Sequence, residues 1–205
     1  EFIAKERIHM ELSKMWVAEY VYLGIKALVE SNLALYLPGN FAEHLEAWKP
    51  FQAKEPEVGW AYLCLLNRKE MEDIIEFYRY SNKEKSFAKK VIHAYDRFLN
   101  RWDEYDYFSN DLTILETAYD FAVWQGKDVP FSKDHIAKVK KLLPIQTMDD
   151  FALNGHLLIQ WSGKRGGPWV KEALDKALYA VLTGQVKNDE KQLKEWFHNE
   201  FIHER

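Results

Sequence analysis

The sequence contains one cysteine, nine glycines and six prolines among its 205 residues. Because Cys64 is alone, an internal disulfide framework is excluded and a reducing compartment is favoured. No run of eighteen apolar residues is present, so the sequence predicts no membrane-spanning helix. We therefore expect a cytoplasmic protein without a membrane partner. Glycine and proline are not concentrated in a low-complexity segment, and nothing in the composition indicates disorder.

The sequence also lacks the residue patterns that carry most kinds of catalysis. No serine or cysteine lies in a nucleophile turn, and no His-Asp pair of the phosphohydrolase type is present. The acidic cluster Asp103, Glu104 and Asp106 follows a predicted helix with no strand or glycine turn beside it. Such a cluster is typical of a solvated helix end rather than a metal site. We predict no catalytic residue and no metal site in this chain.

What the sequence does contain is a helical pattern with enough apolar residues for a substantial core. Hydrophobic residues make up 47% of the chain and aromatic residues 15%. Apolar positions recur with helical spacing, and the alternation typical of strands is nowhere sustained. The sequence therefore predicts an all-α, elongated multi-helix array, with helices near residues 4–17, 20–35, 57–66, 69–80, 84–103, 111–125, 132–142, 168–183 and 189–202.

The net charge of −4 is unevenly distributed along the chain. Residues 1–78 and 102–137 are acidic, whereas residues 79–101 carry 7 basic and 2 acidic side chains and residues 138–176 carry 7 and 4. A polyanion responds to local charge within roughly 8–10 Å at ordinary salt concentrations, so a negative total does not exclude RNA. The two basic zones are therefore candidate nucleic-acid surfaces.

The cations of the first basic zone follow the period of one predicted helix. Its apolar residues, among them Phe87, Val91 and Phe98, share one face, and its cations occupy the opposite face. A row of cations along a helix can follow a phosphate backbone. The alternative, which the sequence leaves open, is that these side chains form an ordinary solvated face.

The second basic zone contains a glycine pair and a proline in front of an amphipathic helix. Pro168 suits the first position of a helix, and Gly184 marks its expected end. Lys164 and Arg165 come directly before the glycine pair at residues 166–167. Because glycine admits a close approach and a helix N-terminus attracts anions, this turn predicts a phosphate-binding site. An ordinary loop-to-helix cap is the alternative.

Four short motifs follow one another in an order typical of one family. They are Glu-Arg-Ile at residues 6–8 with Glu11, Leu-Pro-Gly at residues 37–39, Tyr-Ser-Asn-Lys at residues 80–83, and Leu-Asn-Gly-His at residues 153–156 followed by Gly-Lys-Arg-Gly-Gly-Pro-Trp-Val at residues 163–170. Over nearly the whole chain they resemble bacterial CCA-adding enzymes, which are tRNA nucleotidyltransferases of the class II type. Ala4 and Lys5 depart from the family, which more often has Ser-Val there.

The resemblance implies a part of such an enzyme without its catalytic N-terminal head, and the start at Glu1-Phe2 is consistent with an excised fragment. In the family, the head holds two metal ions on an Asp-x-Asp strand after a glycine turn, and neither occurs in this sequence. The intact enzyme would require Mg²⁺ and would add CCA to the 3′ end of tRNA from CTP and ATP. We expect the chain alone to bind tRNA without catalysis, with the head domain as a second partner and without DNA.

The resemblance also divides the chain and assigns its residues. It implies a neck remnant at residues 1–36, a helical body at residues 37–130 and a helical tail at residues 131–205. In the family, body and tail grip the acceptor stem and TΨC arm of tRNA. The residues expected to position the neck are Glu6, Arg7 and Glu11. The residues expected to bind RNA are Lys85, Lys89, Lys90, His93, Arg97, Arg101, Lys141, Asn154, Gly155, His156, Lys164, Arg165, Gly166, Gly167 and Lys171.

Two alternatives stay open on the sequence alone. A C-adding enzyme, an A-adding enzyme or a bacterial poly(A) polymerase could share this helical scaffold, because the residues that separate those activities would lie mostly in the head. A helical protein-interaction scaffold would instead use the acidic segments at residues 1–78 and 102–137 as its binding surfaces.

Overall fold

A computed structural model describes residues 4–202 of the chain. Within this range the secondary structure is helical and contains no β-strand, which confirms the predicted all-α class. The α-helices of this range are α1 (Lys5–Trp16), α2 (Val21–Glu30), α3 (Pro56–Leu66), α4 (Met71–Phe77), α5 (Asn82–Leu99), α6 (Glu104–Ser109), α7 (Leu112–Trp124), α8 (Lys133–Leu142), α9 (Gly155–Ser162), α10 (Pro168–Leu182) and α11 (Glu190–Ile202). Short 3-10 turns lie at Leu33–Tyr36, Leu45–Trp48, Arg68–Glu70 and Met148–Asp150. None of the described helices is long and apolar enough to cross a membrane.

The chain forms two compact units. The first unit comprises Glu1–Arg101 together with Thr113–Lys133, and the second comprises Trp102–Leu112 together with Asp134–Arg205. The chain therefore passes into the second unit at α6 and returns to the first with α7. The three-part division into neck, body and tail concerns function, and it stays a prediction.

The core of the first unit is built around α3. Pro56 starts this helix at the first helical position, and every residue from Gly59 to Leu65 is buried, as the sequence predicts for the apolar run around Cys64. Burial raises the pKa of the Cys64 thiol to about 11, and the thiol donates a hydrogen bond of 3.6 Å to the hydroxyl of Tyr80. A helix that is apolar on all sides needs neighbours on all sides.

Aromatic rings fill the space between α1 and α3. Trp16, the last residue of α1, is fully buried and stacks on Trp48, with ring centroids 4.9 Å apart and planes 9° from parallel. Trp60 meets Trp16 edge to face at a centroid distance of 5.4 Å. Gly59 provides the space for these rings, since a Cβ atom built there would lie 2.3 Å from Cγ of Trp16. The absence of a side chain at residue 59 therefore sets how closely α1 approaches α3.

The long basic helix predicted in the middle of the chain is shorter in the structure. Its start is fixed by a capping box, in which the hydroxyl of Ser81 accepts the N–H of Glu84 and the Glu84 carboxylate accepts the N–H of Ser81 at 3.2 and 2.7 Å. α5 ends at Leu99, and Arg101 takes a left-handed φ of 65°. The prediction that Arg101 and Trp102 continue the helix is wrong, because apolar periodicity does not reveal a left-handed residue.

Other helix limits also differ from the sequence prediction. α2 ends at Glu30, because Asn32 adopts a left-handed φ of 62° before the 3-10 turn that follows. Neither α6 nor α9 is among the helices predicted from apolar periodicity, and both begin at a side-chain cap. Asp103 accepts the N–H of Asp106 at 2.9 Å, and Asn154 accepts two backbone N–H groups at the start of α9. These caps, rather than periodicity, are the local signal for short helices.

The second unit is organised by α10, whose limits agree with the sequence prediction. Pro168 is its first residue, and Gly184, with a φ of 74°, follows its end. The buried members of its predicted apolar face are Ala173, Ala177, Leu178, Val181 and Leu182. They share one core with Leu158 of α9 and with Leu193 and Phe197 of α11.

Gly59→Ala tests the close contact between α1 and α3. The new methyl group would overlap the rigid, fully buried ring of Trp16. We therefore expect the free energy of unfolding, measured in urea, to fall by about 1–3 kcal/mol.

Gly24→Ala is the matched control, because a Cβ there would lie 2.8 Å from Sδ of Met15, a flexible side chain that can move. The higher helix propensity of alanine, about 1 kcal/mol, should offset that contact. Equal stability of Gly59→Ala and the parent would contradict this description of the core.

Candidate nucleic-acid interface

Two helix N-termini lie side by side in the second unit. Oδ1 of Asn154 caps α9 by accepting the N–H groups of His156 and Leu157 at 3.0 and 3.1 Å. A Cβ atom on Gly155 would lie 3.1 Å from Cγ1 of Val170, which is in the first turn of α10. Two positively charged helix ends therefore share a small area of surface. We call residues 154–156 and 163–171 the α9–α10 corner.

A short exposed connection, residues 163–167, joins the two helices of the corner. Gly163 ends α9 with a φ of 65°, a conformation that glycine adopts without strain. The indole N–H of Trp169 donates a hydrogen bond of 2.9 Å to the carbonyl oxygen of Arg165. This bond fixes the connection against the first turn of α10, so that the basic residues have a defined position.

The two glycines predicted to approach a phosphate have different environments. A Cβ on Gly166 would lie 3.2 Å from Cδ1 of Ile159, so the backbone there packs on α9. Gly167 has an extended backbone with a φ of −176°, which any residue can adopt, and a Cβ there would make an ordinary contact of 3.4 Å with Trp169. A side chain at residue 166 would therefore have to displace the end of Ile159, whereas residue 167 is open to substitution.

The cations of the corner are not neutralised by carboxylates. Its exposed basic side chains are His156, Lys164, Arg165 and Lys171. Across residues 4–202, no carboxylate forms an ion pair with any of them. The nearby Glu172 pairs instead with Lys176 at 3.0 Å. An anion placed at the corner would therefore meet both side-chain cations and helix ends, which is the arrangement that binds phosphate in many proteins.

The two lysines at the end of α8 differ in their surroundings. Lys140 donates from Nζ to the carbonyl oxygens of Tyr107 and Asn110 at 2.8 and 2.7 Å, and burial lowers its pKa. The ammonium group of Lys140 therefore satisfies carbonyl groups at the C-terminal end of α6. Lys141, which the resemblance assigns to RNA, is exposed. Its side chain makes no hydrogen bond or ion pair with any of the described residues, and its role stays a prediction.

The basic row of α5 is partly neutralised within the first unit. Lys89 pairs with Glu72 at 3.0 Å. Asp96, the anion on the same helix, is instead held by both terminal nitrogens of Arg68 at 2.7 and 2.9 Å, and that pair brings in a cation from outside the row. The remaining members of the row on α5 are Lys85, Lys90, His93 and Arg97. Arg101 lies beyond the helix. The row therefore carries less free positive charge than its sequence indicates.

The residues expected to position the neck all lie exposed on α1. Glu6 has its carboxylate 3.9 Å from Nε of Arg79, and Glu11 pairs with Lys14 at 3.0 Å. Arg7 lies on the same helix. Exposed pairs of this kind contribute about 0–1 kcal/mol, so they do not hold α1 in place, and their role in nucleotide positioning stays a prediction.

A polar contact that the sequence analysis does not identify joins α1 to α5. The ring of His9 stacks on Trp60 with centroids 4.5 Å apart and planes 5° from parallel, and its Nε2 lies 2.9 Å from a carboxylate oxygen of Glu84. Because Glu84 also caps α5, the stacked ring of His9 lies where α1 and the start of α5 meet. One signal in the sequence indicates that His9 faces the core, which is its spacing on α1. His9 precedes the buried Leu12 and Trp16 by three and seven residues, so the three residues share one helix face.

The first unit also contains a cleft of about 690 Å³ whose charged lining residues are mainly acidic. Glu19, Glu55, Glu116 and Asp120 line it, and Lys133 pairs with Asp120. A cleft lined by negative charge repels phosphate. In the part of the chain that the structure describes, no group of three or more His, Cys, Asp or Glu side chains is arranged so that it could hold a metal ion.

The helical architecture and the unpaired cations of the corner define the class of protein to which this chain belongs. It is an all-α protein with a candidate binding surface for a polyanion. The family of tRNA nucleotidyltransferase domain 2 matches residues 51–197. The chain belongs to this family.

The chain is similar to several CCA-adding enzymes. It is 30% identical to that of Geobacillus thermodenitrificans over 95% of this chain and 50% of that protein, and 29% identical to that of Bacillus cereus over 96% and 51%. Its fold matches a crystal structure of the Bacillus stearothermophilus CCA-adding enzyme in complex with CTP, with a TM-score of 0.83 and 28% identity over 96% of this chain and 52% of that one. These matches confirm the resemblance carried by the four motifs. The chain spans about half the length of these relatives.

Charge reversal tests the corner. In Lys164→Glu/Arg165→Glu, two anions replace two cations, so we expect tRNA binding to weaken about tenfold or more. The positive helix end tolerates the new anions, so the free energy of unfolding should change by no more than about 1 kcal/mol. Filter binding and thermal melting measure the two quantities.

The matched control is Lys191→Glu/Lys194→Glu, which makes the same change of net charge on two exposed residues of α11 in the same unit. This variant should bind tRNA about as tightly as the parent. If the two variants lost the same affinity, the corner would be only a helix cap and its cations would have no special role.

Proposed function

We propose that this chain is the tRNA-binding helical part of a CCA-adding enzyme, and that the α9–α10 corner holds the RNA backbone. The observation that carries the proposal is the group of exposed, unpaired cations at two adjoining helix starts. Side-chain charge and helix-end charge have the same sign there, so both favour a phosphate. Similarity to CCA-adding enzymes over 95% of the chain supports the choice of tRNA.

The corner suits a folded RNA that is recognised by its backbone. An A-form helix hides its base edges in a deep, narrow groove, so proteins recognise it mainly by shape, phosphates and 2′-hydroxyl groups. Lys164 and Arg165 offer charged donors without requiring a base sequence. The acceptor stem and TΨC arm are the expected target, because the body and tail of the family that this chain resembles grip that half of tRNA.

The row on α5 would supply a second line of phosphate contacts. Lys90 and His93 are exposed and make no ion pair with any residue from 4 to 202. Lys89 would have to exchange Glu72 for a phosphate, and exposed pairs of this kind are worth only about 0–1 kcal/mol. Breaking the Lys89–Glu72 pair therefore costs little free energy, and the row can contribute to RNA binding without a change of fold.

Chemistry would belong to the rest of the enzyme, and this chain would present the 3′ end of the tRNA to it. Mg²⁺ bound there would supply the activation of the 3′ hydroxyl and the stabilisation of the leaving pyrophosphate, with CTP and ATP as donors. The head domain would then be the second partner of this chain, and the cytoplasm its location. An enzyme that adds only C or only A would use the same RNA surface.

Binding of tRNA to the isolated chain should depend steeply on salt. The logarithm of the association constant should fall linearly with the logarithm of salt concentration, with a slope of about −0.7 to −0.9 for each phosphate contact. In the neutral variant Lys164→Gln/Arg165→Gln, the slope should become less negative by about 1.4–1.8, because two contacts are lost. Affinity that is independent of salt, or an unchanged slope in the variant, would contradict electrostatic binding at the corner.

The chain by itself should not extend tRNA. With tRNA that lacks its CCA end, Mg²⁺ and labelled CTP or ATP, we expect no label in the tRNA, because the sequence contains no Asp-x-Asp motif after a glycine turn to hold the metal ions. The same assay with the Geobacillus thermodenitrificans CCA-adding enzyme provides the positive control. Reproducible incorporation that follows the chain through purification would overturn this division of roles.

A further inference from the structure

A groove of about 410 Å³ lies between α10 and α11 in the second unit. Two aromatic, three charged and one amide side chain contribute to its lining. They are Tyr179, Trp196, Asp175, Lys176, Glu200 and Gln185. None of these residues belongs to the α9–α10 corner, and the proposed function does not use them. We call this surface the α10–α11 groove.

The groove presents aromatic rings to the solvent. Tyr179 of α10 is 43% exposed, and its hydroxyl group makes no hydrogen bond within the described range of residues. Trp196 of α11 is partly buried and meets Phe201 edge to face at a centroid distance of 6.1 Å. The face of an aromatic ring carries partial negative charge and attracts cations. The rings of the groove therefore favour a positively charged ligand.

The charged side chains of the groove favour the same kind of ligand. Asp175 on α10 and Glu200 on α11 are exposed, and neither carboxylate forms an ion pair or a hydrogen bond with another residue that the structure describes. Lys176 does not neutralise them, because its ammonium group pairs with Glu172 at 3.0 Å. The groove thus has an excess of negative charge, which repels phosphate and attracts cations.

Lys176 shows how an ammonium group is held beside this groove. Its Nζ lies 3.0 Å from the carboxylate of Glu172 and 5.0 Å from the centroid of the Phe201 ring. The ammonium group therefore has a carboxylate and an aromatic face as neighbours at the same time. The unpaired carboxylates and the rings of the groove offer this combination to a ligand.

We propose that the α10–α11 groove binds a linear polyamine, a flexible chain of ammonium groups joined by methylene groups. The ammonium groups pair with Asp175 and Glu200, and the methylene groups pack on the rings of Tyr179 and Trp196. A hydrated metal ion would use the carboxylates but would gain no contact with the rings. This inference goes beyond the proposed function and does not depend on tRNA.

The groove is separate from the phosphate site proposed above. Tyr179 follows Pro168 by eleven residues on α10, which corresponds to about 16 Å along the helix axis. This distance exceeds the screening length of roughly 8–10 Å at ordinary salt concentrations. The positive charge of the corner therefore does not prevent a cation from binding in the groove.

The acidic cleft of the first unit is the competing location for a polyamine. Its lining includes Lys54 and Lys133, and Lys133 pairs with Asp120. Trp124 is the one aromatic residue among the described residues that line it. The cleft is thus partly neutralised and has less aromatic surface than the groove. The experiment distinguishes the two locations.

The experiment is a calorimetric titration of the full chain with spermidine at one fixed salt concentration. RNA is left out, because RNA itself binds polyamines. Asp175→Asn/Glu200→Gln should weaken binding about fivefold or more, since two carboxylate contacts are lost. The matched control, Glu19→Gln/Glu116→Gln, makes the same change of net charge in the acidic cleft of the first unit. Its affinity should stay within about twofold of the parent.

A second pair of variants tests the contribution of the aromatic ring. Tyr179→Leu keeps an apolar side chain but removes the ring, so we expect affinity for spermidine to fall about two- to fivefold. Tyr179→Phe keeps the ring and should bind spermidine as the parent does. Both variants should melt at the temperature of the parent, because the side chain of Tyr179 is exposed and makes no hydrogen bond to the described residues.

Three results would overturn the proposal. The first is unchanged affinity in Asp175→Asn/Glu200→Gln. The second is a loss of affinity in Glu19→Gln/Glu116→Gln, which would place the polyamine in the first unit. The third is equal affinity of Tyr179→Leu and Tyr179→Phe, which would show that spermidine is held by charge alone. Because no RNA is present, none of these results depends on whether the chain binds tRNA.

Discussion

The close approach of two helix starts at Gly155 is the constraint on which the arrangement of the candidate site depends. Any side chain there would meet Val170 in the first turn of α10. Because the approach is possible, Asn154 can cap α9 beside α10, and Leu158 of α9 can enter the core formed by α10 and α11. Residues 163–167, which join α9 to α10 and include Lys164, therefore lie close to both helix starts. Packing in the core thus determines where the positive charge is concentrated.

The basic side chains of the two zones differ in their partners. The structure shows which of them are paired within the protein, and the sequence does not. On α5, Lys89 has Glu72 as a partner, and in the second unit Lys140 satisfies two backbone carbonyls. Lys164 and Arg165 have no carboxylate partner among the residues described. Lys85 and Lys90 on α5 are also without a carboxylate partner among the residues described, but the cations of the corner lie beside the N-termini of two helices, whose positive charge adds to theirs. This difference is the reason for placing the main RNA contact at the corner.

Local signals explain which parts of the fold could be predicted. α10 lies between a proline and a glycine, and the buried α3 follows from an unbroken apolar run, so both could be identified from neighbouring residues alone. α9 could not, because it is short and its cap is a single asparagine in a segment with little periodicity. The end of α5 was also missed, since a left-handed Arg101 leaves no trace in the apolar pattern. The contact of His9 with Glu84 joins residues far apart in sequence and depends on the folded core.

The central claim is that this chain binds the end of tRNA that receives CCA, through phosphate contacts at the corner. Competition between two RNA hairpins of equal length tests it most directly, one made of the acceptor stem and TΨC arm and the other of the anticodon arm. At one fixed salt concentration, the account predicts that the first hairpin displaces full-length tRNA nearly as well as tRNA itself and that the second is about tenfold weaker or more. Equal displacement by the two hairpins would show that the chain binds RNA without regard to shape, and would contradict the account.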